Sequence, residues 1–522
     1  MLDAKKVILT LADNTTNTIT DSSRLSTEED YSAAIYSKED LIINGNGTLN
    51  VNAGYRNGIK STDDCIIVSG TLNITSTEDG IIGKDLCGIV AGDININAGS
   101  DGIKSTYDTD TTKGNVIIEG GNITIKASND GIQAENILVI NDGTINIKTN
   151  NGAADTTQTH IDNMDMGRGG FGFNNNKTTT TTDDTSESRK GIKAGNMLII
   201  NDGDITIDSD DDSVHCNSVI YIYGGTINAA TGDDGVHADD LLTVNGGTIN
   251  ITQCYEGLEA DDIVINDGDI SVVSSDDGIN SSDGSITING GNLLINASGD
   301  GLDANGSIII NDGYIVVLGP TSDGDTAIDY DDSCTINGGT VMAFGSSGML
   351  EIPKGASNGA CIVTAFTSVS GGSKYTLSDS NGNEILSYTP SKAYAAAIVY
   401  SDKITTGNTY NITAGSTTLS IEVTSDVTSN VSSGFGGAGG MNKHGNGGSG
   451  MPNNGSSDNG MGNGNSNGSM PDMSGNGAPD MNGNSSGDMP SMGGNSSNNG
   501  GNMPNMNNGS SNGSAPQMNN RM

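Results

Sequence analysis

The chain reads as a right-handed parallel β-helix of about a dozen coils, with a small C-terminal β module and a disordered tail. Three observations predict this fold class. An Asp/Asn-Gly-apolar step recurs, mostly at intervals of 21 to 23 residues. Each unit carries three short runs of alternating apolar and polar residues, the period of a strand rather than a helix. The chain also lacks Trp and has only five Phe, but holds 77 Gly among 522 residues. Such a composition must build its core by stacking many small apolar side chains, which a solenoid does. A leucine-rich solenoid has a similar period but needs a Leu-rich consensus and a helical segment, and neither is present.

The repeated step begins at Asn57-Gly58-Ile59, Asp79-Gly80-Ile81, Asp101-Gly102-Ile103 and Asp130-Gly131-Ile132. It resumes at Gly191-Ile192 and continues through Asp212-Ser213-Val214, Asp234-Gly235-Val236, Glu256-Gly257-Leu258, Asp277-Gly278-Ile279 and Asp300-Gly301-Leu302, ending weakly at Ala327-Ile328-Asp329. The first strand of each coil is Gly-Ile-x-Ala. The second is an apolar pair ending in Asn-Gly or Asp-Gly, and the third follows that Gly, as in Thr248-Ile249-Asn250-Ile251. Alternate residues point inward, which predicts an inner column of Leu198, Ile220, Leu242, Ile263, Ile286 and Ile308. Asn141, Asn201, Asn245, Asn266, Asn289, Asn311 and Asn337 share one turn position and are expected to form a structural hydrogen-bonded ladder. Cys65, Cys87 and Cys334 fall in an inward column. Cys65 and Cys87 would lie about 4.8 Å apart on neighbouring coils, close enough for a disulfide, although buried free thiols are the simpler reading.

These patterns place the β-helix at residues 1–348, interrupted by a low-complexity insertion at 155–188. Residues 349–425 lose the coil period but keep alternating strands, and are expected to cap the solenoid as a small β module. Residues 426–522, rich in Gly, Asn, Ser and Met, are expected to be disordered. No Cys-x-x-Cys occurs, which disfavours a zinc ribbon or redox motif. Met1-Leu2-Asp3-Ala4-Lys5-Lys6 reads as β structure and not as an export leader. An extracellular or cell-surface location is therefore expected to depend on a signal outside this sequence.

The chemistry is expected on the outward face of the first strands. One outward column reads Lys193, His215, His237, Glu259, Asn280, Asp303, Asp329, and a second reads Gly195, Asn217, Asp239, Asp261, Ser282, Asn305, Asp331. A third column, just before the repeated glycine, reads Asp212, Asp234, Glu256, Asp277, Asp300. With coils about 4.8 Å apart, carboxylates from two or three coils converge. Their mutual repulsion calls for compensation by protons, water or cations. Clustered oxygens suit calcium, which takes six to eight of them. Asp212, Asp234, Asp239, Glu256, Glu259, Asp261, Asp277, Asp300, Asp303, Asp329 and Asp331 are the candidate Ca2+ ligands, and the bland alternative is a solvated acidic face. His237 and Asn280 are candidates for direct ligand contact. Tyr221 and Tyr223 flank inward Ile222 and form a candidate platform for sugar.

Charge excludes several functions. With 22 basic and 64 acidic residues the net charge is −42, which argues against nucleic acid because no basic stripe exists to neutralise phosphates. No apolar run approaches the roughly 20 residues of a bilayer span. Between residues 194 and 345 there are 27 Asp or Glu and no Lys or Arg, so a lyase relying on a basic side chain lacks its base there. A hydrolase needs only a carboxylate pair and stays open on this count.

Three text segments carry a family resemblance: Ser37-Lys38-Glu39-Asp40-Leu41-Ile42-Ile43-Asn44-Gly45, Asn57-Gly58-Ile59-Lys60-Ser61, and the run Asp233-Asp234-Gly235-Val236-His237-Ala238-Asp239-Asp240. With Leu377–Asn383 and Thr389–Tyr394 they make the chain similar to secreted bacterial carbohydrate-binding proteins with a pectate-lyase-like parallel β-helix. The resemblance covers roughly residues 1–425. It implies calcium ions along the helix, binding to acidic plant polysaccharide such as polygalacturonate, with cellulose as a further candidate, and no lyase activity. Three classes remain open on sequence: a calcium-dependent glycan-binding protein, which is preferred, a structural or adhesive solenoid, and a polysaccharide lyase or hydrolase.

Overall fold

In the computed structural model, residues 4–22, 31–154 and 188–431 are described, and they belong to one compact unit. They form an all-β, right-handed parallel solenoid of thirteen coils, with no α-helix among the described residues. Each coil has three strands, as in Val214–Cys216, Val219–Ile222 and Thr226–Thr231. First strands pair with first strands and second with second. The two stacks merge into one 24-stranded sheet because two strands, Val236–Val244 and Leu258–Ile265, run without a break through the corner. The third strands form the other wall, thirteen parallel members of a 16-stranded sheet. Among the described residues no helix is long and apolar enough to cross a membrane.

Inward columns fill the core. Leu198, Ile220, Leu242, Ile263, Ile286 and Ile308 are neighbours in register and fully buried. Cys65 and Cys87 are also register partners, and both are buried free thiols. The Asn ladder is present as a chain of amide hydrogen bonds: Asn266 donates to Asn245 at 2.9 Å, Asn289 to Asn266 at 2.8 Å and Asn311 to Asn289 at 2.8 Å.

The glycine of the repeated step is explained by close approach between coils. A methyl group on Gly80 would sit 2.5 Å from both the Gly102 carbonyl oxygen and Ile96 Cγ2. Every other glycine at this position meets the next coil's carbonyl and a branched side chain of its own coil in the same way, for example Gly131 with Ile147, Gly235 with Ile251, Gly301 with Val317 and, across a longer coil, Gly102 with Ile125. Three coils break the pattern, carrying Ala34, in register with Gly58, and further along Ser213 and Ala327. In the last two the facing residue is small. The residues sixteen positions ahead of Ser213 and Ala327 are Ala229 and Ala343, in the same inward column as Ile207, Ile251 and Val317. A larger residue on one side is matched by a smaller one on the other. Gly80→Ala is therefore expected to cost about 1–3 kcal/mol through overpacking, read as a lower denaturation midpoint at unchanged m-value.

The C-terminal strands close the solenoid in two ways. Tyr394–Ser401 adds antiparallel to the last third-strand, Thr340–Gly345, and Ala360–Val369 adds beyond it. A four-stranded antiparallel sheet, made of Tyr375–Asp379, Glu384–Tyr388, Thr409–Ala414 and Thr417–Glu422, packs on the outer side of the last coils. Val316, Leu318, Met342 and Phe344 point out of the solenoid into the apolar side of this sheet, against Tyr375, Leu377, Tyr394 and Ile412. Two boundaries differ from the sequence reading. Gly355–Ala356 still pairs with the solenoid after residue 348. Val427–Ser429, expected in the tail, forms a strand on Cys361–Val363, because Val427 covers the core there. The remainder of the expected tail, from residue 432, and the insertion at 155–187 lie outside the described residues.

Candidate metal and ligand face

The first-strand stack lines up a continuous outward column: Tyr36, Lys60, Ile82, Lys104, Gln133, Lys193, His215, His237, Glu259, Asn280, Asp303 and Asp329. Its character changes midway, with lysines toward the N-terminal coils and carboxylates toward the C-terminal ones. Beside it runs the column before the glycines, where the structure adds a role that sequence did not disclose. One oxygen of most of these aspartates accepts the backbone N–H of the equivalent residue in the next coil, whereas Glu256 accepts from the Asn280 amide instead. Asp79 accepts from Asp101, Asp101 from Asp130, Asp212 from Asp234, Asp234 from Glu256, and Asp277 from Asp300. These side chains are buried or half-buried, and each keeps a second oxygen for another partner.

In the N-terminal half that partner is an internal cation. Lys104 Nζ lies 2.6 Å from Asp101 Oδ2. At the midpoint Lys190, which occupies the pre-glycine position itself, lies 2.6 Å from Asp212 Oδ2 and 2.9 Å from Asp211 Oδ1. His215 adds a contact from Nδ1 to Asp212 Oδ2 at 2.8 Å and from Nε2 to Asn217 Oδ1 at 2.9 Å. Although burial opposes charge, Lys190, His215 and His237 together hold the Asp212 carboxyl well below its ordinary range.

Further along there is no ammonium group. His237 Nδ1 lies 3.2 Å from Glu259 Oε2, 3.3 Å from Asp234 Oδ2 and 3.8 Å from Asp212 Oδ2. Burial disfavours the charged ring, yet Asp234, Asp212 and Glu259 overcome it and push His237 up to about 10. Asp277, Asp300 and Asp303 each bring one carboxylate oxygen within 4.8 Å of the others. Burial first, and then neighbouring carboxylates, push Asp277 and Asp300 up to about 8 and Asp303 to about 6. Glu256, burdened by burial and by Glu259, rises to about 9 even though Asn280 donates to its Oε2 at 2.8 Å. Asp329 continues the column next to Asp303.

The remaining candidates are more open. Asp239 and Asp331 are exposed, and Asp261 is half-buried and accepts from Ser282 at 3.0 Å. Tyr221 and Tyr223 flank buried Ile222 and stack with ring centroids 6.4 Å apart and 24° between planes. Tyr223 is exposed. The structure thus gathers His237, Asp234 and Glu259 in one cluster and Asp277, Asp300 and Asp303 in another, and leaves Asp239, Asp261 and Asp331 on the rim. Sequence reasoning missed Lys190 as the partner of Asp212, although its place immediately before Gly191 marks it as the pre-glycine residue of its coil.

The family described as carbohydrate-binding domain-containing protein matches residues 1–235 and 233–422. A carbohydrate-binding domain-containing protein of Acetivibrio thermocellus is 39% identical over 75 residues, 14% of this chain. The match spans only 26% of that relative's length. No solved structure matches the chain. With the family's two matches together running from residue 1 to residue 422, the chain belongs to the carbohydrate-binding domain-containing protein family.

Proposed function

We propose that this chain is a non-catalytic, calcium-dependent binding protein for acidic plant cell-wall polysaccharide, acting at the extracellular or cell-surface side. Carbohydrate binding comes with the family. What carries the calcium reading is the contrast within one column. Where the N-terminal coils place Lys104 against Asp101, the C-terminal coils place Asp303 against Asp277 and Asp300. The backbone ladder is the same, but among the described residues no Lys or Arg supplies the compensating cation. All-oxygen clusters of this kind favour a hard divalent ion, and calcium accepts their irregular geometry. A polyuronate meets a chain of net charge −42 unfavourably unless a cation bridges the two.

The test is retention of polygalacturonate by the full chain. Binding in millimolar calcium and its loss in EDTA are expected, without accumulation of unsaturated uronate. Tyr223→Ala should weaken retention by roughly fivefold, the equivalent of about 1 kcal/mol for an aromatic contact, without changing Tm. Retention that ignores EDTA would remove calcium from the reading. No retention of any polysaccharide would favour a structural or adhesive solenoid, and steady release of unsaturated product would make the chain a lyase.

A further inference from the structure

The cluster around His237 differs in kind from the all-oxygen cluster two coils further on, in chemistry as well as position. Calcium is bound by oxygen alone, whereas an imidazole nitrogen among carboxylates suits zinc and its neighbours. Among the described residues His215 and His237 are the only histidines, and they sit on adjacent coils with rings 4.9 Å apart at 71°. Their surroundings separate their roles. Both nitrogens of His215 are engaged, by Asp212 and Asn217, and Asp212 is already held by Lys190.

His237 is placed otherwise. Its Nδ1 faces two carboxylate oxygens at once, Asp234 Oδ2 at 3.3 Å and Glu259 Oε2 at 3.2 Å. A ring nitrogen carries at most one proton, so hydrogen bonding serves only one of them. Three ligand atoms around a tetrahedral zinc, with bonds near 2.0–2.1 Å, stand about 3.4 Å apart, close to both nitrogen–oxygen separations here, and the three atoms lie within 4.8 Å of one another. Asp234 commits its other oxygen to the Glu256 N–H at 3.1 Å, which aims Oδ2 at the cluster. His237 and Glu259 are register partners on the two strands that run unbroken through the corner, a stiff mount for a site. Beyond the ring, Asp239 Oδ1 lies 3.6 Å from Nε2, the place of the outer carboxylate that orients a metal-bound histidine.

We propose that Asp234 Oδ2, His237 Nδ1 and Glu259 Oε2 form a site for a borderline divalent transition metal, zinc first, with Asp239 as the positioning residue behind the imidazole. The half-exposed His237 and Glu259 leave a fourth vertex open to water or to an oxygen of a bound sugar. The proposal stands apart from the calcium reading, which concerns Asp277, Asp300 and Asp303.

The experiment uses the metal-stripped full chain, titrated with Zn2+ by calorimetry and with Co2+ by visible absorption. One Zn2+ per chain is expected, with intense tetrahedral cobalt bands that zinc displaces and millimolar calcium does not. His237→Ala should weaken zinc by roughly a hundredfold or more, and Asp239→Asn by roughly tenfold, as loss of an outer-shell partner does. Asp300→Asn with Asp303→Asn should leave zinc binding unchanged, which separates this site from the calcium clusters. Cobalt that keeps the weak spectrum of its hydrated ion in the unaltered chain overturns the proposal. So does displacement of zinc by calcium, or a folded His237→Ala chain that binds zinc like its parent.

Discussion

Millimolar calcium is expected to raise the Tm of this protein by several degrees more than NaCl at equal ionic strength. Both salts screen the repulsion of 64 acidic against 22 basic residues. Only calcium can occupy the oxygens of Asp277, Asp300 and Asp303, which lie within 4.8 Å of one another. An ion bound to the folded state alone contributes about 2.7 kcal/mol at a hundredfold excess over Kd. Asp300→Asn with Asp303→Asn should remove most of the calcium-specific increment. Asn keeps a carbonyl oxygen, so residue 300 can still accept the Thr326 N–H and the ladder survives. The calcium-free double variant should melt no lower than its parent, because two mutually repelling charges have gone. Differential scanning calorimetry in the two salts decides the matter, and equal shifts would leave these columns as a solvated face.

The calcium-free protein should also be most stable in mildly acidic buffer, near pH 5, and lose stability toward pH 8 and above. The sign follows from the direction of the shifts. A carboxyl raised in the folded state holds its proton where the unfolded chain has already lost it, so folding takes up protons and stability falls as pH rises. The window runs from about 4, the unfolded value, to the folded values of about 6 for Asp303, about 8 for Asp277 and Asp300, and about 9 for Glu256. His237, raised to about 10, works in the same sense. Its contribution is complete below about 6.5 and is lost as pH climbs through the folded value. Asp212, held low, has the opposite dependence, but only in strongly acidic solution. Calcium competes with the protons, so saturating calcium should flatten the profile between pH 5 and 8. A metal-free Tm that rises across this range would show that the acidic columns are far better solvated than their burial implies.

Much of this was legible in the order of residues, for a physical reason. A strand alternates its side chains with a period of two, and a coil of constant length returns each to the same height. Sequence spacing alone therefore aligns Lys193, His215, His237, Glu259, Asn280, Asp303 and Asp329. What spacing cannot reveal is the rotation of a side chain about its own bonds. Whether Asp277 turns one oxygen to the N–H of Asp300, and so spends half its capacity on the backbone, depends on torsions that no pattern records. The same holds for His215, whose ring is fixed by Asp212 and Asn217, while His237 on the adjacent coil faces Glu259. The sideways seat of the C-terminal sheet was hidden differently. Val316, Met342 and their neighbours are apolar on both faces of the third strands, a signal that reads equally as a thicker core.

An array of near-identical coils has a counting problem. During assembly one coil could be skipped and its neighbours would still find apolar partners, in the same strand register and with the same glycine at the corner. The paired exceptions, Ser213 with Ala229 and Ala327 with Ala343, are compensations inside single coils and do not guard against that error. A coil displaced as a whole carries both members of its pair with it, so Ser213 keeps Ala229 and Ala327 keeps Ala343.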